Sequence, residues 1–253
     1  MSNFSSDNAE RRVRVNERIT IYESRRGQSF GADAFLLAAY ARADAAHAAV
    51  DLGSGSGICS LLLADRDKAK KIYAVELQAE LDALCRKNIA ENGFSEKIKA
   101  LHNDVRLITP NNFDEPVATV ISNPPYFTAE SGRQSPEPGK NAARFELNGT
   151  LYDFCAAAER ILIPRGSFYC VIRPERICDL TGALRAADLE PSRMTFVHHN
   201  AASSPAMLLL EAVKGGRGRL NVTRPLFLYE NGKEQTSDAK QIYENCDFGD
   251  LFQ

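Results

Sequence analysis

Val50-Asp51-Leu52-Gly53-Ser54-Gly55-Ser56-Gly57, continued by Ile58-Cys59-Ser60-Leu61-Leu62-Leu63-Ala64, reads as a strand end, a glycine turn and a helix start. The glycines permit a tight turn and let a ligand come close to the backbone. Their spacing is G-x-G-x-G. Ile58 stands where a dinucleotide-binding loop has its third glycine, and no Gly-Lys-Ser/Thr follows. The stretch is therefore neither a nicotinamide-cofactor loop nor a P-loop. It also carries no Lys or Arg to meet a pyrophosphate. A cofactor with adenosine but without phosphates fits it.

Outward from the loop, the same pattern repeats. Lys71-Ile72-Tyr73-Ala74-Val75 reads as the next strand and ends on Glu76, about 25 residues after Asp51, where a carboxylate would accept both ribose hydroxyls. A helix is predicted from about Gln78 to Asn92, with Leu77, Leu81, Leu84, Cys85 and Ile89 on its buried face and Gly93 as its stop. Ile98 to His102 is a third strand, and Asp104 follows at its carboxyl end, placed to accept from an adenine amino group. His102 reads as a strand residue, since no second histidine or cysteine is placed to share a metal with it. The β-branched run Val117 to Ser122 is a fourth strand and closes on Asn123-Pro124-Pro125-Tyr126. Two prolines cannot continue a ladder, so the chain is held stiffly just past the strand end. Ligands of open α/β sheets bind there, at the switch in strand order. Three acids at three successive strand ends and this stiff turn should meet in one crevice.

The flanks fill in the fold. Residues 1 to about 10 are expected to be disordered, and Arg18 to Tyr22 to be a short strand. Phe30 to Tyr40 reads as a helix with Asp33 in its first turn or at its cap. The connection 127–149 is rich in Gly, Pro, Ser and charge, and its length suits a substrate-facing loop. Arg133, Lys140 and Arg144 lie in it. Thr150 is a plausible N-cap, with Asp153 three residues on, for a helix reaching Leu162. A strand Ser167–Ile172, a helix from Pro174 to Asp188, and strands Arg193–His198 and Ala206–Val213 paired as a hairpin complete the order. His198 and His199 are adjacent in a strand and point to opposite faces, which argues against a shared metal.

Alternating strands and helices imply an α/β fold: a seven-stranded, mainly parallel sheet with helices on both faces and a C-terminal antiparallel hairpin. The domain expectation is an N-terminal extension with short strands over 1–29, one catalytic-type domain over 30–213, and a C-terminal tail over 214–253. The 253 residues are 44% hydrophobic and 25% charged, an ordinary globular composition. The hydrophobic runs are too short for a membrane span, and the polar start lacks an apolar leader. The six cysteines show no C-x-x-C pairing, so no metal site or disulfide framework is expected, and a reducing cytoplasm fits. Net charge is −2, but basic residues cluster from Arg11 to Arg26 and from Lys214 to Arg224. Such patches suit phosphate contacts better than the total charge suggests.

Together, Asp51 to Gly57, Glu76, Asp104 and Asn123-Pro124-Pro125-Tyr126 resemble the class I S-adenosylmethionine-dependent methyltransferases, and the N-P-P-Y tetrapeptide resembles their amino-methylating branch. Phe30-Gly31-Ala32-Asp33-Ala34, Ala143-Arg144-x-Glu146 and Pro225-Leu226-Phe227-Leu228-Tyr229 resemble the bacterial tRNA1(Val) adenine-N6 methyltransferases. The resemblance implies a Rossmann-like fold and S-adenosylmethionine as cofactor. It implies a cofactor site of Phe30, Gly31, Asp33, Asp51, Gly53, Gly55, Glu76, Leu77, Asp104, Val105 and Asn123. It makes Asn123, Pro124, Pro125 and Tyr126 the catalytic residues, and Tyr126, Arg133, Lys140 and Arg144 the candidates for holding a tRNA. No metal is implied. Asn123 and Pro124 would accept the two hydrogens of a planar NH₂ group, and Tyr126 would stack on the base. A guanine-N2 rRNA methyltransferase or a release-factor glutamine methyltransferase faces the same planar NH₂. The short segment before Asp51 counts against the latter. A non-catalytic cofactor- and RNA-binding module is a third reading, against which the intact Asn123 and Tyr126 argue.

Overall fold

The computed structural model describes residues 10–24, 31–124, 149–230, 232 and 234–249. A hairpin of β1 (Glu10–Arg14) and β2 (Thr20–Ser24) comes first, then α1 (Ala32–Tyr40). Strands and helices then alternate: β3 (Asp44–Leu52), α2 (Ile58–Asp65), β4 (Ala69–Glu76), α3 (Ala79–Glu91) and β5 (Ile98–His102). Next come β6 (Val117–Ser122), α4 (Leu151–Ile161), β7 (Leu162–Ile172), α5 (Ile177–Ala186), β8 (Leu189–His198) and β9 (Pro205–Lys214). Two short strands, β10 (Asn221–Val222) and β11 (Leu226–Phe227), and helix α6 (Ser237–Asn245) end the order.

The main sheet runs β10-β8-β9-β7-β6-β3-β4-β5, with β11 also on β8. Strands β3 to β7 are parallel to one another, and β9 lies antiparallel between β7 and β8. The switch in strand order falls beside β3, between β6 and β4, as the sequence implied. The seven long strands are the expected ones. The sheet counts nine because the two-residue β10 and β11 settle on β8, whose outer edge would otherwise offer unpaired donors and acceptors.

Alternate side chains of the central strands go to opposite faces, and both faces are apolar, as parallel sheets require. Ala49, Ile72, Ala74 and Ile121 pack under α1, α2 and α3. Val50, Leu52, Val75 and Val120 pack under α4 and α5. The segment past Lys214 folds back onto the first of these faces. Tyr243 of α6 stacks on Phe35 of α1 at 4.8 Å between ring centroids, and the buried Phe248 meets Tyr40 edge-on at 5.1 Å.

Two segments are shaped by partners at a distance. Pro164-Arg165-Gly166 looks like a turn but lies inside β7 as an irregularity, with Arg165 at φ +68° and the pairing with β6 shifted there. A Cβ on Gly166 would sit 3.0 Å from the Ala118 carbonyl, so the strands close on each other across this point. The run Glu10-Arg11-Arg12-Val13-Arg14 forms a strand, which its charge hides. Val13 faces Ile21 in the register and packs inward, while Arg12 and Arg14 are exposed. Among the described residues no helix is long and apolar enough to cross a membrane, and no cluster of His, Cys, Asp and Glu could hold a metal ion.

Candidate cofactor and amine site

The glycine loop lies at the carboxyl edge of the sheet, between β3 and α2. Its backbone is held from several sides. The Gly53 and Ser54 N–H groups donate to the Val75 carbonyl at 2.9 and 3.0 Å. The Gly55 N–H donates to Glu76 Oε2 at 2.9 Å, and the Ser56 carbonyl accepts from Asn88 Nδ2 at 2.9 Å. Gly57 sits at φ +86°, and a Cβ there would lie 2.7 Å from Cys85 Sγ. Gly57→Ala is therefore expected to destabilise the fold by about 2–4 kcal/mol, combining left-handed strain with overpacking. Gly55, at φ +56° with nothing within 4 Å of an added Cβ, should lose only the backbone part, about 1–2 kcal/mol. Urea denaturation of the two alanine variants checks the difference.

The three strand-end acids take different roles. Asp51, 2% exposed, accepts from the Ser60 N–H at 3.1 Å and from Ser60 Oγ at 2.8 Å through Oδ2. It therefore ties the end of β3 to the first turn of α2. Burial pushes its carboxyl up to about 7, the Ser60 bonds oppose this, and the nearby Glu76 adds to it. Because the folded value lies above the unfolded one, protonation favours the folded state. That contribution is complete below about pH 4 and is lost as pH rises through about 7. Thermal melts should show it, and Asp51→Asn should remove this pH dependence and stabilise the protein at pH 8 by up to about 4 kcal/mol.

Glu76, 5% exposed, accepts from the Gly55 N–H through Oε2 and from the Gln78 N–H through Oε1, the latter at 2.8 Å. One carboxylate thus braces the loop and the start of α3 together, with lone pairs left over for a ligand. Asp104 is turned onto Arg106, whose Nε lies 2.9 Å from Oδ1 and 3.0 Å from Oδ2. The Arg106 guanidinium holds the Asp104 carboxyl below its usual range. Arg160 of α4 donates to the carbonyls of Ile108 and Val105 at 2.7 and 3.0 Å and so fixes the backbone after Asp104. Val105 is buried, and the Leu77 carbonyl accepts from His102 Nε2 at 2.9 Å in the appropriate tautomer.

Asn123 follows β6 directly. Its Nδ2 donates to Asp33 Oδ2 at 2.9 Å, while its Oδ1 is buried with no hydrogen-bond partner among the described residues. Asp33 is not a cap: the N-cap of α1 is Gly31 and makes no side-chain bond. The Asp33 carboxylate instead fixes which way the Asn123 amide points. A buried acceptor without a partner costs free energy unless something fills it. Pro124 is buried beside it. Phe30, Pro125, Tyr126, Arg133, Lys140 and Arg144 lie outside the described residues.

The loop, Glu76 and Asn123 thus share one edge of the sheet. The loop offers backbone without cations, Glu76 offers carboxylate oxygens, and Asn123 offers an acceptor. These groups fit a ribose-bearing cofactor without phosphates and an amine donor. Lys214, the first residue of the second basic cluster, lies at the opposite edge, where its Nζ donates to the carbonyls of Glu159 and Leu162 around the start of β7, while Arg224, between β10 and β11, pairs with Asp238. His198 and His199 go to separate partners, the Ser203 carbonyl and the Tyr229 ring. Ser60, Asn88 and Arg160 were not singled out from the sequence. Asn88 left a signal there: a polar residue among Leu84, Cys85 and Ile89 on the buried face.

Comparison with known proteins agrees with this geometry. The sequence profile of the methyltransferase small domain matches residues 24–179. A tRNA1(Val) (adenine(37)-N6)-methyltransferase of Phocaeicola vulgatus is 29% identical over 77% of this chain and 80% of that protein. The protein of the same name from Aeromonas hydrophila is 31% identical over 73% of this chain and 76% of that protein. Among solved structures, a protein described as a predicted O-methyltransferase, from Agrobacterium tumefaciens, superposes with a TM-score of 0.69 at 25% identity. It covers 85% of this chain and 97% of its own.

Proposed function

Because this chain belongs to the methyltransferase small domain family, alongside the bacterial tRNA1(Val) (adenine(37)-N6)-methyltransferases, we propose that its carboxyl-edge crevice methylates the exocyclic N6 amine of an adenine in tRNA. It is an S-adenosylmethionine-dependent N-methyltransferase. The cofactor supplies an electrophilic methyl group on a sulfonium. Glu76 would hold its ribose, the backbone of Gly53 to Gly57 would lie along it, and Asp104 and Val105 would border its adenine.

The observation that carries the reading is the buried, unpartnered Oδ1 of Asn123. Asp33 takes one N–H of Asn123 and so fixes the amide the way round that leaves Oδ1 unpartnered; whatever meets that oxygen must be a donor. An amine that gives one hydrogen to Asn123 Oδ1 and the other to the Pro124 carbonyl is drawn out of conjugation. Its lone pair is freed for in-line attack at close range. The positive charge that develops on nitrogen is stabilised by dipoles already in place and is discharged when one of its N–H protons passes to solvent water. Asp33 strengthens this by polarising the Asn123 amide from behind. Tyr126 would stack on the base, and Arg133, Lys140 and Arg144 would meet the RNA backbone. We place the reaction in the cytoplasm, where tRNA is the available substrate.

The test is to incubate the protein with labelled S-adenosylmethionine and, separately, tRNA, rRNA and a peptide-release factor. Label is expected in tRNA, as N6-methyladenosine on nucleoside mass spectrometry. Label in the release factor alone would assign the site to a glutamine amide instead.

A further inference from the structure

Asn88, on α3, is 0% exposed and spends both Nδ2 hydrogens and its Oδ1 on two separate parts of the fold. Its Oδ1 accepts from the Tyr22 N–H at 2.7 Å, and its Nδ2 donates to the Tyr22 carbonyl at 3.0 Å and to the Ser56 carbonyl at 2.9 Å. One turn on, Asn92 repeats the pairing with β2: its Oδ1 accepts from the Thr20 N–H at 3.0 Å and its Nδ2 donates to the Thr20 carbonyl at 2.7 Å. The match is geometric. Four helical residues advance about 6 Å and two strand residues about 6.6 Å, so asparagines at i and i+4 meet alternate residues of a strand. The two amides act as the missing neighbour strand for the free edge of the β1–β2 hairpin. Lys87 adds to the docking, its Nζ lying 3.9 Å from the Tyr22 ring centroid and 2.6 Å from Glu10 Oε2.

Only Asn88 also reaches the glycine loop. It does so from α3, whereas the Val75 and Glu76 anchors of the loop come from β4. We propose that Asn88 is a positioning residue for the methyl donor, and that through it docking of the N-terminal hairpin and cofactor binding are coupled. A hairpin seated on α3 holds the Asn88 amide in the orientation that fixes Ser56, and a loop fixed by the cofactor holds the same amide for Tyr22. Such coupling is reciprocal: the factor by which hairpin docking tightens the cofactor equals the factor by which the cofactor protects the hairpin. The inference rests on the cofactor reading above.

The experiment uses S-adenosylhomocysteine and the full chain, without RNA. Hydrogen exchange of the Tyr22 amide in the wild-type protein is expected to slow about 5- to 20-fold at saturating S-adenosylhomocysteine. Calorimetry should show affinity weakened by a similar factor in Asn88→Ala. A smaller weakening, about 3-fold, is expected in Asn92→Ala, which touches the hairpin but not the loop. A Tyr22 exchange rate that does not change in saturating S-adenosylhomocysteine overturns the proposal, and this measurement needs no variant to fold. Absence of any S-adenosylhomocysteine binding by the wild-type protein would overturn the cofactor reading itself, a result distinct from binding without protection.

Discussion

Asn123→Ala is expected to lower kcat by about 10²–10³-fold, the range seen when one preorganised dipole is removed from a reacting centre. S-adenosylhomocysteine affinity should change by no more than about 3-fold, since on the proposed reading the lost group would meet the substrate amine and not the ribose. The argument rests on an asymmetry in the folded chain. Of the two ends of the Asn123 amide, the donor end is committed to Asp33 and the acceptor end is buried and unpartnered. Alanine removes the acceptor and leaves Asp33 without the donor. Asp33→Asn separates the two effects. An asparagine there can accept from Nδ2 or donate to Oδ1, so the Asn123 amide is no longer held one way round. A drop in kcat of about tenfold is expected, the size of one hydrogen bond to a charged group. Single-turnover rates with tRNA, beside calorimetric binding of the cofactor product, read both effects. Wild-type kcat in Asn123→Ala would remove the tetrapeptide from the mechanism.

The second large effect is on cofactor affinity. Glu76→Ala should weaken S-adenosylhomocysteine binding on the order of 100-fold, because each hydrogen bond to a charged group contributes about 1.5–3 kcal/mol and Glu76 makes two to backbone before any ligand arrives. The loop and the start of α3 lose their common brace, and on the proposed reading the ribose would lose its acceptor. Glu76→Gln retains one acceptor oxygen but turns an NH₂ toward a backbone N–H, so about a tenfold loss is expected. Asp104→Ala should cost only a few-fold, because its carboxylate is already engaged by Arg106. Titration calorimetry at one pH ranks the three variants. An order with Asp104 ahead of Glu76 would show that the adenine end, not the ribose, holds the cofactor.

Much of this site can be read in the chain because its signals are local. A glycine turn between a β-branched strand and an aliphatic helix, an acid at the next strand end, and two prolines that stop a strand each follow from backbone sterics over a few residues. The carboxyl-edge crevice then follows from the alternation of strands and helices, since parallel strands must all end at the same edge. In two places a local signal is overruled at a distance. Pro164-Arg165-Gly166 carries every mark of a turn, yet β6 holds it in the sheet. Glu10 to Arg14 carries four charges in five residues, and a single inward valine and a partner strand make it a hairpin arm.

By itself, the sequence determined the fold class, the edge of the sheet that carries the chemistry, and a loop suited to an adenosine without phosphates. Only the tertiary structure decided how the polar groups at that edge are shared out. Asp51 is spent on Ser60, Asp104 on Arg106, and Glu76, expected to meet a ribose, also on the backbone of the loop, while Asp33 takes an N–H of Asn123 and leaves its buried oxygen unpartnered. These pairings join residues up to 90 positions apart. A residue type shows that a side chain can donate or accept. Which neighbour has already satisfied it depends on packing, and that determines what is left for a substrate.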